Sequence, residues 1–152
     1  LVIMGSSWYG VSTTNPYIEK VKREAKKCKN KIIFTGYLSN NKVAELEAVA
    51  DIAVLPSMWE EPLGLSILEA MASGLAVIST KSGGIKEIIK ENSGILLNRD
   101  DKMLDNMTFY LEKLILNDEY RKMLGKNARK RVEEGFTEEK YYKCFRKELN
   151  EQ

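Results

Sequence analysis

Two carboxylates flank the start of a short apolar helix predicted within LPSMWEEPLGLSILEAMASG, residues 55–74. Glu61 lies in the loop before this helix, and Glu69 lies on its second turn. The first N–H groups of a helix lack intrahelical acceptors and lie at the positive end of the helix dipole, so they bind phosphate readily. Gly64 lets a ligand approach the backbone closely because it has no β-carbon. The pattern indicates a diphosphate site built from the N–H groups of Gly64, Leu65 and Ser66.

The two glutamates suit the groups on either side of a bound diphosphate. Glu69 lies on the order of 7 Å along the helix axis from Gly64, at roughly 1.5 Å per residue. A carboxylate there could accept hydrogen bonds from both hydroxyls of a ribose, while Glu61 could meet a second sugar. The residues alone leave another interpretation open, in which Glu61 only stabilises the helix dipole, by about 0.3–1 kcal/mol. Glu69 would then be a solvated position on an apolar helix.

Composition excludes several kinds of function. The 152 residues are 43% hydrophobic and 30% charged, which is typical of one soluble globular domain. The net charge of +2 comes from lysines interleaved with acids, so nucleic acid is not an expected partner. The sequence has no histidine, and Cys28 and Cys144 stand alone, so we expect no metal site and no cofactor.

The sequence also indicates where in the cell the protein is expected. No apolar run approaches the roughly 18 residues that span a bilayer, and no leader segment opens the chain. We therefore expect a cytoplasmic protein. A basic run in the last third of the chain adds the expectation of peripheral contact with the inner face of a membrane. It comprises Lys126, Arg129, Lys130 and Arg131.

Short apolar segments alternate with helical patterns as far as residue 98. The segments LVIMG, KIIFTG, DIAVLPS, LAVISTK and GILLN are predicted strands, and the stretches between them are predicted helices. This alternation predicts an α/β fold: a Rossmann-like, doubly wound parallel sheet with helices on both faces. Three further helices follow. We expect residues 1–100 to form the nucleotide-sugar-binding core and residues 101–152 to form a helical C-terminal tail of the same domain.

The stretch EPLGLSILEAMASGLAVIST resembles the E-x7-E motif of retaining glycosyltransferases with the GT-B fold, of the family-4 (glycosyl transferases group 1) type. The resemblance extends through FTGYLS, ADIAVLPSMWEEP, SGGIKEII and GILL. Leu63 stands where the family commonly has Phe, and Ala76 where it commonly has Pro. The chain is therefore similar to the C-terminal, donor-binding half of a GT-B enzyme.

The resemblance implies a role for each matching residue. Glu61 would be the catalytic candidate and contact the transferred sugar, whereas Glu60 is one residue out of register and is expected to be solvated. The backbone of Leu63 and Gly64 would touch the same sugar. Leu65 and Ser66 would bind the diphosphate through their amides, together with Gly64, and Glu69 would bind the ribose. The nucleobase would lie against Gly36, Tyr37 and Leu38. The glycine pair in SGGIKEI is expected to serve packing.

The resemblance also implies an activity and a missing partner domain. The enzyme would transfer a hexosyl-type sugar with retention and without a metal, from a nucleotide-diphosphate sugar to a glycan or lipid-linked acceptor in polysaccharide biosynthesis. The N-terminal acceptor domain is absent, so we expect the fragment to be inactive alone. Aromatic residues that would have faced that domain are Trp8, Tyr9, Tyr141, Tyr142 and Phe145.

Two alternative functions stay open at this stage. One is a nucleotide-binding module without turnover, and the other is a different GT-B enzyme, such as a sugar phosphorylase. A Rossmann dehydrogenase is disfavoured because no G-x-G-x-x-G follows a predicted strand.

Overall fold

The computed structural model describes residues 1–7, 10, 13–29 and 31–150, so the expectation for Trp8 and Tyr9 lies outside the described residues. The chain has the predicted α/β class, with parallel strands and a helical C-terminal tail. Its residues group into two compact units, Leu1–Leu46 and Glu47–Gln152.

The first unit contains a parallel pair of short strands and two helices. In chain order its elements are β1 (Val2–Ile3), α1 (Pro16–Ala25), β2 (Ile33–Phe34) and all but the last residue of α2 (Asn40–Glu47). Val2 pairs with Ile33. Asn15 begins α1, because its side-chain oxygen accepts a hydrogen bond from the Ile18 N–H at 2.9 Å. None of the described residues in this unit is fully buried.

The second unit contains a three-stranded parallel sheet in the order β3-β4-β5. Its elements are β3 (Ile52–Leu55), α3 (Leu65–Ala72), β4 (Ala76–Thr80), α4 (Ile85–Ile88), β5 (Ile95–Leu97), α5 (Met103–Leu116), α6 (Asp118–Gly135) and α7 (Glu138–Asn150). The central strand is in register with both neighbours, since Val54 pairs with Ile78 and Ile78 pairs with Ile95.

Helices cover both faces of this three-stranded sheet, as predicted. All five residues of β4 are buried. Val77 packs in a cluster with residues of α3, α4 and α6, whereas Ala76 and Ile78 point to the other face and pack with residues of α5 and α6. The packing fixes β3 and α3 relative to each other. The loop between them, residues 56–64, carries the predicted site.

The basic run of α6 is largely occupied by internal contacts. The guanidinium of Arg131 donates to the carbonyls of Glu87 at 3.0 Å and Ile88 at 3.3 Å, and it lies over the ring of Phe136. These carbonyls lie at the C-terminal end of α4, where a cation is favourable. Arg129 and Lys130 form ion pairs one turn along α6. Only part of the run is therefore available to an anionic surface.

The end of the chain contributes little to the core. Among the described residues of α7 none is buried, and Tyr141, Tyr142 and Phe145 are exposed, as expected from the sequence. No helix in the described part of the chain is both long enough and apolar enough to cross a membrane. The division into residues 1–100 and 101–152 stays a prediction.

Candidate functional site

The first turn of α3 has the open donors that the sequence predicted. Gly64 precedes the helix in the left-handed conformation, with φ 76° and ψ 62°, and no side chain caps this end. The Gly64 carbonyl accepts hydrogen bonds from the N–H groups of Ile67 at 3.0 Å and Leu68 at 3.3 Å. Within the described chain, the N–H groups of Leu65 and Ser66 have no acceptor. They are therefore available to an anion.

The opposite end of α3 is closed internally. Gly74, at φ 80°, follows the helix, and its N–H donates to the Met71 carbonyl at 3.0 Å. The next N–H, that of Leu75, donates to the Ala70 carbonyl at 3.1 Å, which completes a Schellman motif. Gly74 therefore ends α3.

A cavity of about 300 Å³ lies at the start of α3. Its apolar wall includes Ile67 and Ile85, and its polar lining includes Ser57 and three of the predicted site residues: Glu61, Gly64 and Ser66. Leu63 and Leu65 are exposed, with 45% and 65% of their surface accessible. Their predicted contacts use the backbone, so exposure of their side chains is compatible with those roles.

The loop that carries Glu61 is held by the segment after β4. The Ser82 hydroxyl donates to the Trp59 carbonyl and accepts a hydrogen bond from the Glu61 N–H at 3.1 Å. Ser82 is fully buried, so loss of either hydrogen bond would leave a buried polar group unsatisfied. The Gly84 N–H donates to the Glu61 carbonyl at 2.8 Å. Both sides of the Glu61 peptide are thereby fixed.

The glycine pair leaves no room for side chains. A β-carbon at Gly83 would lie 2.1 Å from the Glu61 carbonyl oxygen, and one at Gly84 would lie 2.2 Å from the Pro62 carbonyl oxygen. Gly83 also has a positive φ of 40°. The pair thus serves close backbone packing, which agrees with the role expected from the sequence.

Glu60 is exposed, as expected from the sequence, but it also has partners that the sequence did not reveal. Its carboxylate accepts hydrogen bonds from the Gly83 N–H at 2.7 Å and from the guanidinium of Arg99, which also donates to the Met58 carbonyl at 3.3 Å. The hydrogen bond from Arg99, followed by that from Gly83, lowers the pKa of Glu60. Arg99 is 39 positions away in the sequence, which is why the local pattern did not reveal the pair.

Glu69 lies exposed on α3, one turn before the helix ends. Its charge acts on Glu47, the last residue of α2, which is 6% exposed and accepts a hydrogen bond from the Ser73 hydroxyl at 2.9 Å. Burial raises the pKa of Glu47, the Ser73 bond opposes that shift, and the charge of Glu69 adds to it. The sequence analysis missed Glu47, since nothing in its local pattern marks it as buried.

The predicted nucleobase loop belongs to the first unit. Gly36 has a positive φ of 68°, and its carbonyl accepts hydrogen bonds from the Gly5 N–H at 3.1 Å and the Thr35 hydroxyl at 2.9 Å. Leu38 and Thr35 line a second cavity of about 320 Å³, together with residues of α2. The loop is thus ordered by its own unit. The roles of Gly36, Tyr37 and Leu38 stay predictions.

No three His, Cys, Asp or Glu side chains converge as a metal site in the ranges that the structure describes. Transfer without a metal stays a prediction.

Comparison with known proteins identifies the family to which this chain belongs. Residues 1–131 match the family model described as glycosyl transferases group 1. The spore coat protein SA of Bacillus subtilis is 30% identical over 139 residues, covering 90% of this chain and 36% of that protein. The N-acetyl-alpha-D-glucosaminyl L-malate synthase of Bacillus anthracis is 34% identical over 130 residues, covering 80% of this chain and 33% of that protein.

A solved structure shows the same fold. The crystal structure of HepE from Anabaena in complex with UDP-glucose superimposes with a TM-score of 0.82 at 19% identity, covering 99% of this chain and 40% of that one. The chain therefore spans about a third of the length of the curated relatives named above.

Proposed function

Because the chain belongs to the glycosyl transferases group 1 family, we propose that it binds the nucleotide-diphosphate sugar from which a glycosyltransferase takes the transferred sugar. One observation carries the proposal: a cavity with a carboxylate, Glu61, adjoins a helix start at which Leu65 and Ser66 have N–H groups without acceptors. The diphosphate would bind these amides and that of Gly64. The sugar would lie in the cavity, against Glu61 and the backbone of Leu63 and Gly64.

The arrangement suits departure of a diphosphate. As the bond between sugar and diphosphate breaks, negative charge grows on the leaving oxygens, and donors already fixed in place stabilise it without reorganisation. Glu61 binds hydroxyls of the transferred sugar and holds its ring in the cavity. Glu69 binds the ribose hydroxyls, and the loop at Gly36, Tyr37 and Leu38 contacts the nucleobase.

The whole enzyme is proposed to be larger than this chain. A second domain would bind a glycan or lipid-linked acceptor, and a hexosyl-type sugar would be transferred with retention and without a metal, as in enzymes of the family-4 type. The site would then work in the cytoplasm, in polysaccharide biosynthesis, and this chain alone would bind donor without turnover. Peripheral membrane contact through α6 has weaker support, because Arg129, Lys130 and Arg131 are engaged in internal contacts.

The first experiment measures donor binding by the chain. UDP, GDP and ADP, with their glucose or mannose forms, are titrated by calorimetry. For the nucleotide bound best, Glu69→Ala is expected to raise the Kd by about tenfold or more, since it removes hydrogen bonds to a charged acceptor. Glu133→Ala, which removes an exposed carboxylate from α6, is the matched control and should leave the Kd unchanged. Absence of binding across the panel would contradict the proposal.

A second experiment separates an enzyme from a binding module. Transfer and hydrolysis of the bound donor are measured for the full-length protein that contains this sequence. Glu61→Ala should slow transfer more than it weakens nucleoside diphosphate binding, because Glu61 meets the sugar and not the diphosphate. Donor binding with neither transfer nor hydrolysis would favour the non-catalytic alternative.

A further inference from the structure

The loop before α3 is linked to the end of β5 through Arg99. Its guanidinium nitrogen Nη1 donates to the Met58 carbonyl, and Nη2 donates to the Glu60 carboxylate. The same carboxylate accepts the Gly83 N–H at 2.7 Å, so it joins the loop to the glycine pair as well. Arg99 lies two residues after β5 and outside the stretch that resembles the E-x7-E motif.

We infer that Arg99 is a positioning residue for the carboxylate of Glu61, and that it acts on the sugar part of the donor and not on the diphosphate part. The inference rests on the proposed function. Arg99 holds the backbone carbonyl of Met58 and the side-chain carboxylate of Glu60, directly before Glu61. Glu61 in turn lines the cavity that would receive the sugar.

Arg99 adds to the hydrogen bonds from Ser82 and Gly84, because apolar packing does little to fix the start of the loop. Met58 and Trp59 are each 63% exposed, so few packing contacts define the path of the chain here. An exposed segment without packing samples several backbone conformations unless polar contacts select one. The forked, planar guanidinium reaches a carbonyl and a carboxylate at once, which the single ammonium of a lysine does poorly.

The ion pair itself is not expected to stabilise the fold. The Glu60 side chain is 65% exposed and that of Arg99 is 27% exposed, and exposed pairs contribute little to stability. The contribution of the ion pair is to the orientation of the loop that carries Glu61. A change at Arg99 should therefore leave the unfolding transition almost unaffected and alter the site.

The effect should be selective for the sugar. The diphosphate donors lie on α3, which is fixed by the buried residues Ile67, Ala70 and Met71. Arg99 contacts the loop residues Met58 and Glu60 and makes no hydrogen bond to this helix. Loss of Arg99 releases the Met58 carbonyl and loosens the Glu60 carboxylate, while the amides of Leu65 and Ser66 stay in place. The hydrogen bonds of Ser82 and Gly84 to the loop remain.

The test compares two Kd values in the full chain. For the nucleotide that the unmodified chain binds best in the panel above, the Kd of the free nucleoside diphosphate and that of its sugar form are measured by calorimetry. Arg99→Met is expected to raise the Kd of the sugar form about tenfold and to leave that of the diphosphate within about twofold. Arg99→Lys should restore part of the loss, since it keeps the pair with Glu60.

The test includes a matched control variant and a measurement of amide hydrogen exchange without ligand. Arg129→Met removes the arginine of a more exposed pair, with Glu133 on α6, and should change neither Kd. Amide hydrogen exchange should be faster at Gly83 in Arg99→Met and unchanged within α3. If Arg99→Met does not fold, Glu60→Gln removes the same charge pair and is expected to show the same selective loss.

The outcomes separate the two hypotheses. If the unmodified chain binds its nucleotide and Arg99→Met shifts both Kd values equally, or shifts neither, the inference is overturned and the proposed function stands. If the unmodified chain binds no nucleotide of the panel, the proposed function falls and the inference falls with it.

Discussion

The two ends of α3 differ in how their backbone groups are hydrogen-bonded. At the start, a left-handed glycine replaces a capping side chain, and two N–H groups have no acceptor in the described structure. At the end, a Schellman motif satisfies the carbonyls, and Ser73 binds the buried Glu47. Water can accept hydrogen bonds from the exposed open donors until a ligand replaces it, whereas the satisfied end adds stability. We therefore expect that substitutions near the two ends of this eight-residue helix change ligand binding and the free energy of unfolding to different extents.

The largest effect on both stability and binding is expected from a substitution that crowds the loop before α3. In Gly84→Ala the new β-carbon would lie 2.2 Å from the Pro62 carbonyl, so the loop must move. Gly84 has φ −69°, which alanine adopts freely, so the effect is purely steric. We expect a loss of about 1–3 kcal/mol in the free energy of unfolding together with loss of donor-sugar binding. Urea unfolding and calorimetry measure the two. Unchanged sugar binding would show that the loop need not stay where it is.

The matched change at the closed end should affect stability alone. In Gly125→Ala, on α6, the new β-carbon would lie 2.1 Å from the Gly74 carbonyl oxygen. We expect a similar loss of about 1–3 kcal/mol in the free energy of unfolding, because the clash is equally close. The Kd of the nucleoside diphosphate should stay within about twofold at a temperature where the variant is folded. A Kd change as large as that of Gly84→Ala would remove the distinction between the two ends.

The smallest effect on the free energy of unfolding is expected from a substitution at Glu47, and this effect depends on pH. Burial raises the pKa of Glu47 in the folded protein, so its contribution to stability is present below the ordinary glutamate pKa and is lost as the pH rises through the raised value. Glu47→Gln keeps an acceptor for Ser73 and removes the charge next to Glu69. The variant should therefore be at least as stable as the unmodified chain at neutral pH.

This advantage should disappear on acidification. Thermal unfolding is followed from neutral pH downwards for Glu47→Gln and for the control Glu45→Gln, which alters an exposed residue of the same helix paired with Lys42. A pH dependence unchanged by Glu47→Gln would show that Glu47 is not the group responsible.

The order of elements and the open start of α3 could be predicted from the sequence because both follow from local patterns. Apolar segments separated by helices gave the parallel α/β arrangement, and the glycines at 64 and 74 marked the two ends of α3. The contacts that hold the loop could not be predicted. Ser82 binds Trp59 and Glu61, and Arg99 binds Glu60, across 21 to 39 positions. Such pairings depend on how the strands assemble, which no local pattern encodes.

The close fit of the glycine pair has a consequence for redesign. Neither Gly83 nor Gly84 accepts a β-carbon without displacing the backbone opposite, so a mutant library aimed at a new donor sugar should keep both codons fixed. Diversity belongs instead at Met58, Trp59 and Leu63, whose side chains are exposed while the surrounding loop is anchored. Under the proposed function, a directed-evolution campaign confined to these positions should explore sugar choice with little risk to expression.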